Sequence, residues 1–364
     1  MGYFLFFFLG VLLTLGGYTY LTQEEHLSPK IFSQKVFLVD QLIQSQLYEI
    51  GLTKKNILLQ QSSLKKEGDL AWKQSSLKVQ ILPTLSFSLI EGNFRRSLSA
   101  LGEPISIHSS QGSESLQLEV KVLDRVTHHL IFIPSTPSAF KTALHPKIAI
   151  VIDDLGGENK ISHELLRWDI PLTFSILPFA PHSQTLAEEA HRRGIEVILH
   201  LPMEPHGYPE IRPGEGVLLL EMDEVKLLQQ LSKDIDAVPY IKGVSNHMGS
   251  RLMEDPEKLK VVFSELKRRG LFFLDSRTTP QTLGLQIAQS VGLKAMERSL
   301  FIDHSLNEEK IKQKIKRLIQ VSLLNGKAIG IGHPHPSTLK SLKEMIPQIR
   351  EKGIEIVPLS EVIK

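Results

Sequence analysis

The sequence predicts an α/β protein. Residues 148–364 read as a (β/α) barrel, residues 31–134 as a small α+β domain, and residues 1–21 as a transmembrane helix. Three observations predict this. From residue 148, short continuous apolar runs alternate with amphipathic helical segments, the pattern of a parallel sheet covered by helices. Between 115 and 122, Ser-Leu-Gln-Leu-Glu-Val-Lys-Val alternates with a period of two, as a half-buried antiparallel strand does. From Gly2 to Leu21 there is no charged side chain, and about 20 apolar residues suffice to cross a bilayer.

The elements follow in order. Residues 1–21 lack a basic leading segment and a small-residue cleavage signal, so they read as an uncleaved anchor. Val36, Leu38, Val39, Leu42, Ile43, Leu47 and Ile50 fall at helical spacing across 31–52. Strand-like segments at 56–60 and 77–82, a helix over 88–101, and strands at 115–122 and 129–133 complete the small domain. It shows no chemical constellation. Residues 135–147 carry two prolines among Ser and Thr and read as a linker. The barrel then starts with Ile-Ala-Ile-Val-Ile at 148–152, and about eight strand–helix units fill the remaining residues, the size of a (β/α) barrel.

Composition narrows the chemistry. A formal charge of +2 with mixed surface signs gives no basic stripe for nucleic acid. The absence of cysteine excludes disulfides, zinc–thiolate sites and thiol nucleophiles, so any metal must be held by His, Asp or Glu. No HEXXH helix is present.

Parallel barrels place their chemistry at the C-terminal ends of the strands. Six predicted strand ends carry Asp, His or Arg: Asp153-Asp154, His200, Asn246 to Arg251, Asp275 to Arg277, Asp303-His304 and His333 to His335. One such residue is readily a turn or cap residue, and Asp303 or Ser305 reads that way before the helix at 308–324. Six at one rim are not. Imidazole and carboxylate without thiolate is the donor set of a hydrolytic zinc site, or less selectively of nickel, cobalt or manganese. Adjacent residues on a strand point opposite ways, so Asp153 and Asp154 can serve together only if the strand stops there. The Gly156-Gly157 turn is expected to provide that stop.

From residue 148 onward the chain resembles the divergent polysaccharide deacetylase family, a branch of the polysaccharide deacetylase superfamily. The likeness is carried by IAIVIDDLGG, LTFSILPFAPHSQTLAEEAHRRGIEVILHLPMEP, GVSNHMGSRL, LKRRGLFFLDSRTT and AIGIGHPHPSTL. It implies a distorted, NodB-like barrel with Asp153 as catalytic base and Asp154 and His200 as metal ligands. The superfamily's His-x-x-x-His motif reads His200-Leu-Pro-Met-Glu204 here, so either Glu204 substitutes or His247 completes the set, with His247 preferred. His333 falls where the superfamily keeps its general acid. Asp275 and Arg277 resemble base-orienting or supporting positions, Arg277 with a role toward substrate, and Arg251 is a further candidate for substrate binding. His335 reads as a turn residue.

The function expected is removal of N- or O-linked acetyl groups from an envelope carbohydrate. The metal is expected to be zinc, or else nickel, cobalt or manganese. The chain would be anchored in the membrane by its N-terminal helix, with the barrel facing the periplasm or cell exterior. The rival readings are a non-catalytic carbohydrate-binding or envelope-assembly protein that retains the rim, and a metal-dependent hydrolase acting on peptides.

Overall fold

The computed structural model describes residues 28–52, 56–81, 85–135, 145–157 and 159–363. The expected anchor over 1–21 lies outside them, as does most of the expected linker. Among the described residues no helix is long and apolar enough to cross a membrane. The chain divides into two compact units, with the break at Lys141/Thr142.

The first unit has helices α1 (Pro29–Glu49) and α2 (Phe87–Ser99) and strands β1 (Ile57–Glu67), β2 (Leu70–Ile81), β3 (Ile105–Gln111), β4 (Leu116–Val122) and β5 (Arg125–Pro134). The sheet order is β1-β2-β5-β4-β3. Ser28 and Ser86 cap the two helices, each hydroxyl accepting from a backbone amide three residues on. The period of two is realised in β4, where Leu116, Leu118, Val120 and Val122 are all buried. Strand β3 has no counterpart among the expected elements, and β1 is longer than expected. Both are edge strands, exposed along most of their length, and a strand that buries no face carries no alternation to read.

The second unit runs β6 (Lys147–Leu155), α3 (Asn159–Leu165), β7 (Thr173–Ile176), α4 (Ser183–Arg192), β8 (Glu196–Met203), α5 (Glu224–Ala237), β9 (Gly243–Met248), α6 (Pro256–Arg268) and β10 (Phe272–Asp275). It continues through α7 (Gly284–Val291), β11 (Ala295–Glu297), β12 (Leu300–Phe301), α8 (Glu308–Asn325), β13 (Lys327–Gly332), α9 (Pro336–Glu351) and β14 (Glu355–Ile356). The sheet order is β11-β10-β9-β8-β7-β6-β13-β12, with β14 also on β6, and every pairing is parallel. The two edge strands, β11 and β12, are separated in the chain only by Arg298 and Ser299. The sheet therefore curls until its edges are joined by a covalent link instead of a ladder. This is an incomplete barrel.

Alternation sorts its side chains into two layers. Ile148, Ile150, Ile152, Phe174 and Leu199 pack outward against the helices. Ala149, Val151, Ile198, Leu274, Ile329 and Ile331 form a separate inner cluster. Val357, Leu359, Val362 and Ile363, from the segment after β14, fill that interior with them.

Candidate metal centre

The inward-facing positions turn polar at the C-terminal ends of the strands. On β6 the inward series is Ala149, Val151, Asp153; on β8 it is Ile198, His200. On β9 it is Gly243, Ser245, His247; past β13 it is Ile329, Ile331, His333. One pleated face is thus apolar at depth and carries acid–base groups at the mouth.

Asp154 breaks this alternation. The expectation that β6 stops at its aspartates is corrected: the strand runs on to Leu155, and its register with β7 shifts between Ile152 and Leu155. Asp154 itself has a left-handed backbone, with φ of +58°. That conformation costs a non-glycine residue on the order of 1–2 kcal/mol, and such bulges re-aim side chains beside active sites. Here it brings two consecutive carboxylates to one mouth. Gly156 follows with φ of +111°, and a Cβ there would lie 2.7 Å from Ser183 Oγ, so the turn requires glycine.

Asp154, His200 and His247 converge. Asp154 Oδ1 lies 3.1 Å from His200 Nε2 and 3.0 Å from His247 Nδ1, and these two nitrogens are 3.1 Å apart. Ligand atoms about 2.0–2.2 Å from one ion lie about 3 Å from each other, so the triangle fits one face of a coordination shell. Two imidazoles and a carboxylate suit zinc and its first-row neighbours. A second observation agrees: the buried Oδ1 atoms of Asp153 and Asp154 make no hydrogen bond, an arrangement that is costly unless a cation compensates it. Burial pushes the Asp154 carboxyl up, but the close imidazoles of His200 and His247 outweigh it and hold Asp154 well below the usual carboxylate range.

Asp153 sits behind this triangle, fully buried, with Oδ1 3.7 Å from His200 Nδ1. Burial pushes its carboxyl up, against the opposing charges of His200 and His333 and a hydrogen bond from Ser175. His333 enters from the other side of the mouth. Its Nδ1 lies 2.9 Å from Asp303 Oδ1, and its backbone amide donates to Asp303 Oδ2 at 2.6 Å. Thr338 Oγ1 donates to the same carboxylate at 2.7 Å. Burial lowers the His333 pKa, but the Asp303 hydrogen bond and the charges of Asp303, Asp154 and Asp153 raise it further, to about 9. His333 is therefore a cation at neutral pH, with Nδ1 occupied and Nε2 left as the donor.

The other expected site residues lie elsewhere. Glu204 is buried, with Oε1 2.5 Å from Arg251 Nη1 and Oε2 accepting from the Leu220 amide at 2.6 Å. It fastens the loop after β8. Arg251, half exposed, lines a cleft of about 380 Å³ with Glu204, Tyr208, Leu219, Leu220 and Glu221. Asp275 is not drawn into the cluster. It lies on the outward parity of β10, packed against Gly284 at the start of α7, accepting from Thr282 Oγ1 and the Arg277 amide. Arg277 is buried and pairs with Glu297 of β11. His335 stands at the N-cap of α9, before Pro336.

Two serines that sequence reasoning missed belong to the site, as does Asp303, which was expected as a rim or cap residue. Asp303 holds His333, whereas Asn307 caps α8. Ser245 Oγ lies 2.9 Å from His200 Nδ1 and 2.9 Å from Ser175 Oγ. The position of Asp303 at a strand end was a signal; for the serines only their inward parity was.

A curled parallel sheet wrapped by helices, with an Asp–His–His cluster at its mouth, fits the NodB-like (β/α) fold. The chain belongs to the divergent polysaccharide deacetylase family, whose sequence model matches residues 150–363. The uncharacterized protein YibQ of Escherichia coli K12 is 36% identical over 200 residues, 55% of this chain and 62% of that protein, so the match spans less than two thirds of it. An uncharacterized Haemophilus influenzae Rd protein is 29% identical over 245 residues, 67% of this chain and 86% of its own length. The crystal structure of uncharacterized protein ATU2773 from Agrobacterium tumefaciens C58 superposes with a TM-score of 0.58 at 27% identity, covering 61% of this chain and 91% of that one.

Proposed function

We propose that the second unit is a metal-dependent hydrolase that removes N- or O-linked acetyl groups from an envelope carbohydrate. In this reading residues 1–21 anchor the chain in the membrane and the barrel faces the periplasm or cell exterior. The observation that carries the chemistry is the 3 Å triangle of Asp154, His200 and His247, flanked by Asp153 and the His333–Asp303 pair. A divalent ion held there, zinc by preference for this donor set, would acidify a water molecule and polarise the substrate carbonyl. Asp153, the buried carboxylate next to the triangle, would accept that water's proton. His333, cationic and oriented through Nδ1, gives a proton from Nε2 to the departing amine or alcohol. Arg251 and the cleft it lines bind the sugar next to the reacting group.

The test is acetate release from acetylated glycans after chelation and re-addition of zinc, cobalt, nickel or manganese. Release that depends on the added metal and is abolished by Asp153→Asn is expected. No release from a broad glycan panel, or unchanged release by Asp153→Asn, overturns the reading; metal binding without release would favour a carbohydrate-binding role.

A further inference from the structure

We infer that Ser245 and Ser175 are positioning residues of the metal centre, forming a hydroxyl relay that presents His200 Nε2 as a ligand and ties that histidine to Asp153. The inference rests on the reading of Asp154, His200 and His247 as metal ligands, and adds what keeps one of them in place.

The observations are geometric. His200 and Ser245 are direct register partners on β8 and β9. His200 Nδ1 lies 2.9 Å from Ser245 Oγ, and Ser245 Oγ lies 2.9 Å from Ser175 Oγ on β7. Ser175 stands on the inward face of β7, beside the neighbouring strand β6 whose inward residue at the mouth is Asp153, and its hydroxyl acts on the Asp153 carboxyl by hydrogen bonding. Both serines are completely buried, so neither hydroxyl has water as an alternative partner.

The polarity of the chain follows from its ligand end. A ligating Nε2 must offer a lone pair, which leaves the imidazole proton on Nδ1. Nδ1–H then donates to Ser245 Oγ, Ser245 O–H donates to Ser175 Oγ, and Ser175 O–H donates to the Asp153 carboxylate. Each hydroxyl gives one hydrogen bond and accepts one, and a carboxylate oxygen of Asp153 accepts at the end of the series. Run in reverse, the chain would place a proton on Nε2, where it would block the triangle. An imidazole without such a partner can turn about its Cβ–Cγ bond or take the other tautomer, and outer partners of metal-binding histidines commonly set metal affinity for this reason. The usual outer partner is a carboxylate or a backbone carbonyl. Here two serines carry the contact from His200 on β8 through β9 and β7 toward β6, spanning four neighbouring strands of the sheet.

The test uses the full-length protein, freed of metal by a chelator and titrated with cobalt(II) and zinc(II) against a chromophoric competitor. Wild type, Ser245→Ala, Ser175→Ala, the double variant and Ser245→Thr are compared by metal affinity, by the visible cobalt(II) spectrum and by the thermal midpoint of the metal-free protein. Ser245→Ala is expected to bind about 10- to 100-fold more weakly, with an altered cobalt(II) spectrum. Ser175→Ala should lose less, the double variant no more than Ser245→Ala alone, and Ser245→Thr should recover affinity. A merely structural role would lower the metal-free midpoint and leave affinity and spectrum unchanged. Should Ser245→Ala fail to fold, Ser175→Ala carries the test, because it leaves the His200–Ser245 contact in place and must still weaken binding. Folded Ser245→Ala with wild-type affinity and spectrum, or additive losses in the double variant, overturns the relay alone. A wild type without metal affinity overturns the metal centre beneath it.

Discussion

Replacing Asp303 by asparagine should move the titration of His333 by two pH units or more. The Asp303 carboxylate is completely buried and contacts His333 twice, at Nδ1 (2.9 Å) and at the backbone amide (2.6 Å). Burial alone would push the imidazolium below its ordinary pKa of about 6.5; Asp303, helped by Asp153 and Asp154, lifts it to about 9. Asparagine keeps the shape and removes the charge, so burial regains the upper hand and the pKa falls to about 6.5 or below. At pH 8 the protonated fraction then drops from about nine tenths to about one thirtieth, whereas at pH 5.5 the variant stays mostly protonated. Because the folded value lies above the ordinary one, His333 contributes stability in full below pH 6.5 and loses it as the pH rises toward 9. The ceiling on that contribution is about 3 kcal/mol, lowered because 28% of the His333 side chain is exposed. The measurement is an NMR titration of histidine-labelled, metal-free protein, with the His333 signal identified by its loss in His333→Gln. A midpoint that stays near 9 in Asp303→Asn, or already lies near 6.5 in wild type, refutes the reasoning.

Two further outcomes follow from other buried carboxylates. Asp234 on α5 is fully buried, accepts one hydrogen bond from Gln230 and leaves Oδ2 without a partner; burial raises its pKa to about 8. The folded state therefore holds a proton that the unfolded chain releases, and the resulting stability is lost as the pH rises from about 4 toward 8. Asp234→Asn should gain on wild type in urea denaturation by up to about 1.4 kcal/mol per pH unit across that window; a difference that does not change with pH excludes this. Glu204→Gln, in contrast, should leave zinc affinity within about threefold of wild type while destabilising the fold by about 1–3 kcal/mol through its lost charged contacts. His247→Ala should weaken zinc binding at least tenfold, and the reverse ranking in a metal titration would make Glu204 the third ligand.

Sequence patterning reached the parallel sheet because each buried strand is a continuous apolar run, and it reached the mouth because parallel sheets concentrate polar strand ends there. It could not separate His200 from Asp275. Both end a strand, yet His200 shares its inward face with Ile198, whereas Asp275 shares the outward face with Phe273. Phe272, Phe273 and Leu274 are all large and apolar, so nothing in that run reveals which parity faces in. The bulge at Asp154 was equally silent, since a left-handed aspartate leaves no compositional mark. Pairing of Asp303 with His333 depends on how far two loops fold back past β12 and β13, which no local pattern encodes. In the first unit, β3 and most of β1 escaped because edge strands need no buried stripe.

The position of β6 in the sheet also sets the order of events during biosynthesis. Its hydrogen-bond partners β13 and β14 and the interior residues Val357 to Ile363 are made after every other strand of the unit. As the chain emerges from the ribosome, β6 meets β7 early, but Ile148 to Ile152 and the two aspartates are displayed long before the strand that pairs with β6 on its other edge and the side chains that fill the space behind it. Sheets assembled from such distant segments fold slowly and expose apolar surface while they wait. The barrel therefore completes its assembly late, and the metal ligands and His333 acquire their shared geometry only when the last β-strands and the segment that plugs the interior have been synthesised.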